Sequence, residues 1–122
     1  MGGKYNCFVF ALGLEKDQDF TFQDNIPPSF NINGLIMEKF LSHFTETKNP
    51  EKGNLVIYRD KNHYISHASI FLNNEKAMSI WMEKESVPSK KLILEEKKKY
   101  GDETFYSNPK NFNPCAILKT VK

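Results

Sequence analysis

The chain has 122 residues and a mass of 14.2 kDa, with 39% hydrophobic residues, 26% charged residues and a formal net charge of +2. This length fits one domain spanning 1–122 and excludes a multidomain or repeat organisation, and the apolar share excludes a disordered chain. The small charge, with Arg59 as the single arginine, argues against a nucleic-acid partner, and no apolar run approaches the ~20 residues that span a bilayer.

The apolar stretch Cys7–Leu14 is short, lacks a small-x-small cleavage site and runs straight into Glu15, Lys16 and Asp17, so no cleaved signal peptide is expected. Asn6, where the pattern needs Ser or Thr, excludes N-myristoylation. The chain therefore reads as cytoplasmic when synthesised, with any export by a signal-independent system. A short helix is predicted from Cys7, with Asn6 as N-cap and Gly13 at its end; it is apolar on nearly every side and belongs in a core. Glu15–Ile32 reads as a long polar and aromatic loop, where Pro27-Pro28 forbids regular helix. A second helix is predicted from an Asn33 cap through Leu35, Ile36, Phe40, Leu41 and Phe44, whose spacing forms one apolar stripe, and it ends before Pro50.

After Gly53, Leu55-Val56-Ile57-Tyr58 reads as a strand ending at Arg59-Asp60. Ser66–Leu72 and Lys76–Met82 read as two further strands joined at the turn Asn73-Asn74-Glu75 into a hairpin. Lys90–Leu94, Thr104–Tyr106 and Cys115–Val121 are short strand candidates, and Glu95–Lys99 reads as a solvated charge run. Trp81, with Tyr58 and Phe71, reads as core in preference to the wall of a substrate groove. Helices followed by antiparallel strands give an α+β pattern.

Cys7 falls in the first turn of a helix, where unpaired N–H groups and the helix dipole favour a thiolate. It is a candidate nucleophile, although from position alone a small buried hydrophobe is the better fit. A thiol nucleophile needs a base brought close by the fold, normally an imidazole. His43, on a polar helix face, and His63, in a polar turn, read as solvated. His67 opens a strand, which either aims its ring rigidly into a cleft or packs it as a structural residue. Cys7 and Cys115 are compatible with one disulfide or with a single reactive thiol, and Cys115 reads as the buried start of a terminal strand. The Cys and His residues lack close-paired ligand spacing, and neither HExxH nor CxxC occurs, so no metal or other cofactor is expected.

Three segments in this order, Tyr5-Asn6-Cys7-Phe8-Val9-Phe10-Ala11, Pro50-Glu51-Lys52-Gly53-Asn54-Leu55-Val56-Ile57-Tyr58 and His67-Ala68-Ser69-Ile70-Phe71-Leu72-Asn73-Asn74-Glu75-Lys76, resemble the NlpC-type branch of the papain-like cysteine peptidases and the related CHAP amidases. The resemblance implies an α+β fold with N-terminal helices packed on a small antiparallel sheet. It makes Cys7 the nucleophile and His67 the general base and acid, with Tyr5 and Asn6 beside the oxyanion site and the backbone N–H of Cys7 as one oxyanion donor. A polar residue about twelve positions after the base orients the imidazole in that family. Here that position is Ser79, and Glu83 or Glu85 would substitute if the strand were bulged.

The implied function is cleavage of an amide or peptide bond through an acyl-enzyme, with cell-wall peptide as the expected substrate. Such a chain, exported without a signal, would be a toxin or effector with an immunity, chaperone or delivery protein as partner. The same dyad also suits a glutamine deamidase or an acyltransferase, and the weak third residue suits a papain-fold binding module without catalysis.

Overall fold

The computed structural model describes residues 7–13, 34–80, 88–113 and 116–117. In chain order its elements are α1 (Cys7–Leu12), α2 (Gly34–Leu41), β1 (Thr45–Thr47), β2 (Leu55–Arg59), β3 (Ile65–Phe71), β4 (Lys76–Ser79), β5 (Ser89–Leu92), α3 (Ile93–Tyr100) and β6 (Asp102–Ser107). The six strands form one antiparallel sheet in the order β1-β6-β2-β3-β4-β5, so the fold is α+β.

Helices cover both faces of the centre of this sheet, which explains why Leu55, Val56, Ile57 and Tyr58 are all buried in one strand. Side chains alternate between faces. Leu55, Ile57 and Ala68 pack with Cys7, Phe8, Ala11 and Leu12 of α1 and with Met37, Phe40 and Leu41 of α2. Val56, Tyr58, Phe71 and Ala77 pack on the other face with Ile93 of α3. The register Ile57↔Ala68 and Tyr58↔His67 then sets His67 on the α3 face and Ala68 on the α1 face. A shift in register between Tyr58 and Arg59 lets Ile65 return to the α1 core.

α1 starts at Cys7 and closes at Gly13, whose φ of 75° is the left-handed conformation that glycine adopts at little cost. α2 stops at Leu41 rather than running through Phe44. Ser42 donates its hydroxyl back to the Lys39 carbonyl, and Phe44 rejoins the core from the following turn. β1 was not expected; it pairs only with β6, at the sheet edge. β4 ends at Ser79, and residues 81–87, which include Trp81, lie outside the described residues. Ala116 and Ile117 are helical, with the Asn113 side chain accepting from the Ala116 N–H, which corrects the terminal strand expected there; Cys115 lies outside the described residues.

The largest correction concerns the charge run. Glu95, Lys97, Lys98 and Lys99 are exposed as expected, but the run lies within α3 and its Glu96 is buried, and the strand expected over Lys90–Leu94 ends at Leu92. Glu95 and Glu96 in the first turn and Lys97, Lys98 and Lys99 in the last complement the helix dipole. Ile93, Glu96 and Tyr100 recur at spacings of three and four and face inward, with Glu96 0% exposed. At the far end, Gly101 turns α3 directly into β6 with φ 122°, and a Cβ there would fall 1.9 Å from the Arg59 carbonyl oxygen.

Candidate active site

On the α3 face, four side chains from three strands converge on one carboxylate. Glu96 Oε1 accepts from the Tyr58 hydroxyl at 2.8 Å and from the Ser69 hydroxyl at 2.6 Å. Its Oε2 accepts from the Ser79 hydroxyl and lies 3.0 Å from Nε2 of His67. Burying a carboxylate is tolerated only with such a full set of donors. Burial alone would raise its pKa, but the His67 hydrogen bond and charge, with the Ser69 and Ser79 hydroxyls, outweigh burial and hold Glu96 at about 2. The carboxylate is therefore ionised and acts only as an acceptor. Nε2 of His67 must then carry the proton of this contact, so that in a neutral ring Nδ1 is the nitrogen left bare. Burial first, and then the Glu96 charge, push the Tyr58 phenol well above its ordinary value, so it stays a donor.

His67 is 1% exposed. The Tyr100 ring lies against its imidazole, with centroids 3.9 Å apart and planes 11° apart, and Tyr58 stands on another side at 5.7 Å. Beside it on β3, the Ser66 hydroxyl bonds the Tyr100 carbonyl at 2.6 Å, tying the end of α3 to the strand that carries His67.

Cys7 is a free thiol at the start of α1 and is 7% exposed. The backbone amides of Ala68, Cys7 and Phe8 act on it in the direction that favours a thiolate. The Leu72 N–H bonds Lys76 on the β4 side, so by the two-residue period of a strand the Ala68 N–H also points toward β4. Pairing between β3 and β4 stops at Ile70↔Met78, short of Ala68. Cys7 packs in the core of the α1 face, whereas the His67 ring lies on the α3 face, and among the described residues the two side chains make no direct contact.

The expected thiolate is corrected. Burial pushes the Cys7 thiol up to about 11, outweighing the backbone donors, and the Glu96 charge adds to the rise. The backbone amides at the helix start favour the thiolate, but the low-dielectric surroundings decide the protonation state. Ser79 is also corrected as the direct partner of the ring: its hydroxyl goes to Glu96.

Tyr5, Asn6, Glu83 and Glu85 lie outside the described residues. His43 and His63 are exposed, as expected. Arg59 spends its fork on both carboxylate oxygens of Glu38, joining β2 to α2. A cleft of about 580 Å³ opens beside that pair, lined by residues including Leu35, His63 and Tyr64, and neither Cys7 nor His67 borders it. Among the described residues no helix is long and apolar enough to cross a membrane.

Sequence reasoning missed Glu96 and Tyr100. The detectable signal was the inward spacing Ile93, Glu96, Tyr100 within a run dominated by its lysines. No protein-family model, no curated protein and no solved structure matches the chain.

Proposed function

We propose that the chain is a thiol hydrolase acting on an amide or peptide bond, with Cys7 as nucleophile, His67 as base and acid, and Glu96 as the group that orients the imidazole. The observation that carries this reading is the buried His67–Glu96 contact of 3.0 Å, one residue along β3 from Ala68, which packs with Cys7 in the α1-face core. A carboxylate on Nε2 fixes the tautomer with a bare Nδ1, the arrangement a thiol-activating base requires.

In this mechanism the Cys7 thiol passes its proton to Nδ1 of His67 as the sulfur attacks the carbonyl carbon. The carbonyl π pair moves to oxygen. Collapse of that adduct breaks the C–N bond, and His67 returns the proton to the departing nitrogen, leaving a thioester on Cys7. Water, deprotonated by His67, then attacks the thioester; the carboxylic acid departs and the sulfur regains its proton. Because burial keeps the resting thiol neutral, the proton moves when the carbonyl arrives, and no standing thiolate is required. The family resemblance supports bacterial cell-wall peptide as the substrate class, and a toxin or effector role.

A second reading, a papain-fold module without turnover, is favoured by one observation: Cys7 and His67 are 7% and 1% exposed. The two readings part on p-nitrophenyl acetate. A hydrolase releases a burst of p-nitrophenolate equal to the enzyme concentration, lost in Cys7→Ala and in His67→Asn, and solubilises amine-bearing fragments from peptidoglycan sacculi. Bursts of equal size in wild type and Cys7→Ala would sink the hydrolase reading.

A further inference from the structure

Glu96 and Tyr100 stand four residues apart on α3 and therefore share one face of the helix, and both meet the same imidazole. Their contacts differ in kind. The hydrogen bond to Nε2 restrains one atom at the tip of the ring. It does not by itself fix the tilt of the ring about its Cβ–Cγ bond, a torsion that is broad for histidine. A flat ring lying parallel at 3.9 Å does restrict it, because any tilt drives the imidazole edge into the Tyr100 face. Tyr100 is itself anchored. Its carbonyl takes the Ser66 hydroxyl at 2.6 Å, and the Lys99 ammonium stands 5.4 Å from the centroid of its ring.

We propose that Tyr100 is a positioning residue for His67, setting the plane of the imidazole so that the lone pair on Nδ1 keeps one direction while Glu96 holds Nε2. The proposal rests on the thiol-hydrolase reading above. α3 thus acts as a two-point holder for the base, one point at the ring edge and one on the ring face. A base held in both ways transfers its proton from a narrow range of geometries, and losing one of them slows proton transfer without changing how the acyl donor binds.

The test uses the full chain and p-nitrophenyl acetate as probe, following acylation of Cys7 and, in parallel, the His67 ring by NMR. Tyr100→Phe and Tyr100→Trp keep a flat face and are expected to stay within about threefold of the wild-type acylation rate. Tyr100→Met fills the space without a flat face; it is expected to slow acylation about tenfold at an unchanged half-saturating ester concentration, with exchange broadening of the His67 ring signals. A Tyr100→Met rate equal to wild type with sharp, unmoved ring signals overturns the proposal. So does a Tyr100→Phe rate as slow as that of Tyr100→Met, which would assign the effect to the phenol oxygen. Should Tyr100→Met not fold, the wild-type ring decides: stacking requires His67 Hδ2 and Hε1 displaced upfield by the Tyr100 ring current, and undisplaced protons overturn the proposal. If instead Cys7→Ala or His67→Asn acylates like wild type, the hydrolase reading itself fails, and the ring signals still report whether Tyr100 sets the imidazole plane.

Discussion

The hydroxyl of Ser79 donates to Oε2 of Glu96, the oxygen that also faces Nε2 of His67. Ser79 therefore reaches the imidazole only through a carboxylate carried by another element. The roles of the two residues are separable by substitution.

Glu96→Gln keeps the shape of the side chain and removes its charge, leaving the Tyr58, Ser69, Ser79 and His67 donors facing an amide. The expected loss is about 3 kcal/mol in urea unfolding, with acylation of Cys7 slowed at least tenfold. Ser79→Ala removes one donor and leaves Glu96 against His67, so about 1–2 kcal/mol and a few-fold in rate are expected. Equal rate losses in the two variants would mean that Ser79, and not the carboxylate, governs the ring.

Acid should loosen the fold through the same carboxylate. Glu96 is held at about 2 in the folded chain against 4.5 for a free glutamate. A group whose pKa falls on folding contributes stability that is present above the unfolded value and lost as pH drops through the folded one. The loss is thus expected between about pH 4.5 and pH 2, on the order of 3 kcal/mol, with a smaller slope in Glu96→Gln. Urea midpoints measured across that range check it, and parallel pH profiles for the two proteins would contradict it.

Cys7 should be slow toward a simple alkylating agent. Its thiol lies at about 11 against 9.0 for an unburied cysteine, so near pH 8 the folded chain presents roughly a hundredfold less thiolate. Iodoacetamide labelling read at the Cys7 peptide by mass spectrometry is expected to be far slower in the native protein than in urea. Similar rates would show the thiol to be open to solvent.

The parts of the fold legible in the sequence were those whose residues signal burial by type. Leu55-Val56-Ile57-Tyr58 and the β3–β4 hairpin were read correctly because β-branched and aromatic residues end at strong turn residues such as Asn73. Cys7 and His67 stand out as candidates because thiol and imidazole are rare and chemically distinctive. Glu96 was not, because one buried carboxylate within Glu95–Lys99 has the same composition as its solvated neighbours, and only contacts to Tyr58, Ser69 and Ser79 from distant strands distinguish it. The thiol's protonation state was also illegible, since helix position favours the thiolate and burial, which depends on the whole core, opposes it.

Gly101→Ala is expected to be severely destabilising, by more than about 2 kcal/mol, because the new methyl group would meet backbone at 1.9 Å and the φ of 122° strains any side chain. A thermal melt measures this directly. A variant melting within a degree or two of wild type would show that α3 and β6 can be joined by another path.

β6 lies between β1 and β2, although more than forty residues of chain separate it from either of them. The hairpins of β2, β3 and β4 join neighbours in sequence and can zip early, whereas β6 has to return over a long loop before β1 gains any partner. α3 is fused to β6 through Gly101, so the carboxylate and the aromatic face arrive at the imidazole together with the last closure of the sheet. Intermediates that hold only the early hairpins would carry His67 with neither contact, its imidazole unpaired until the sheet closes.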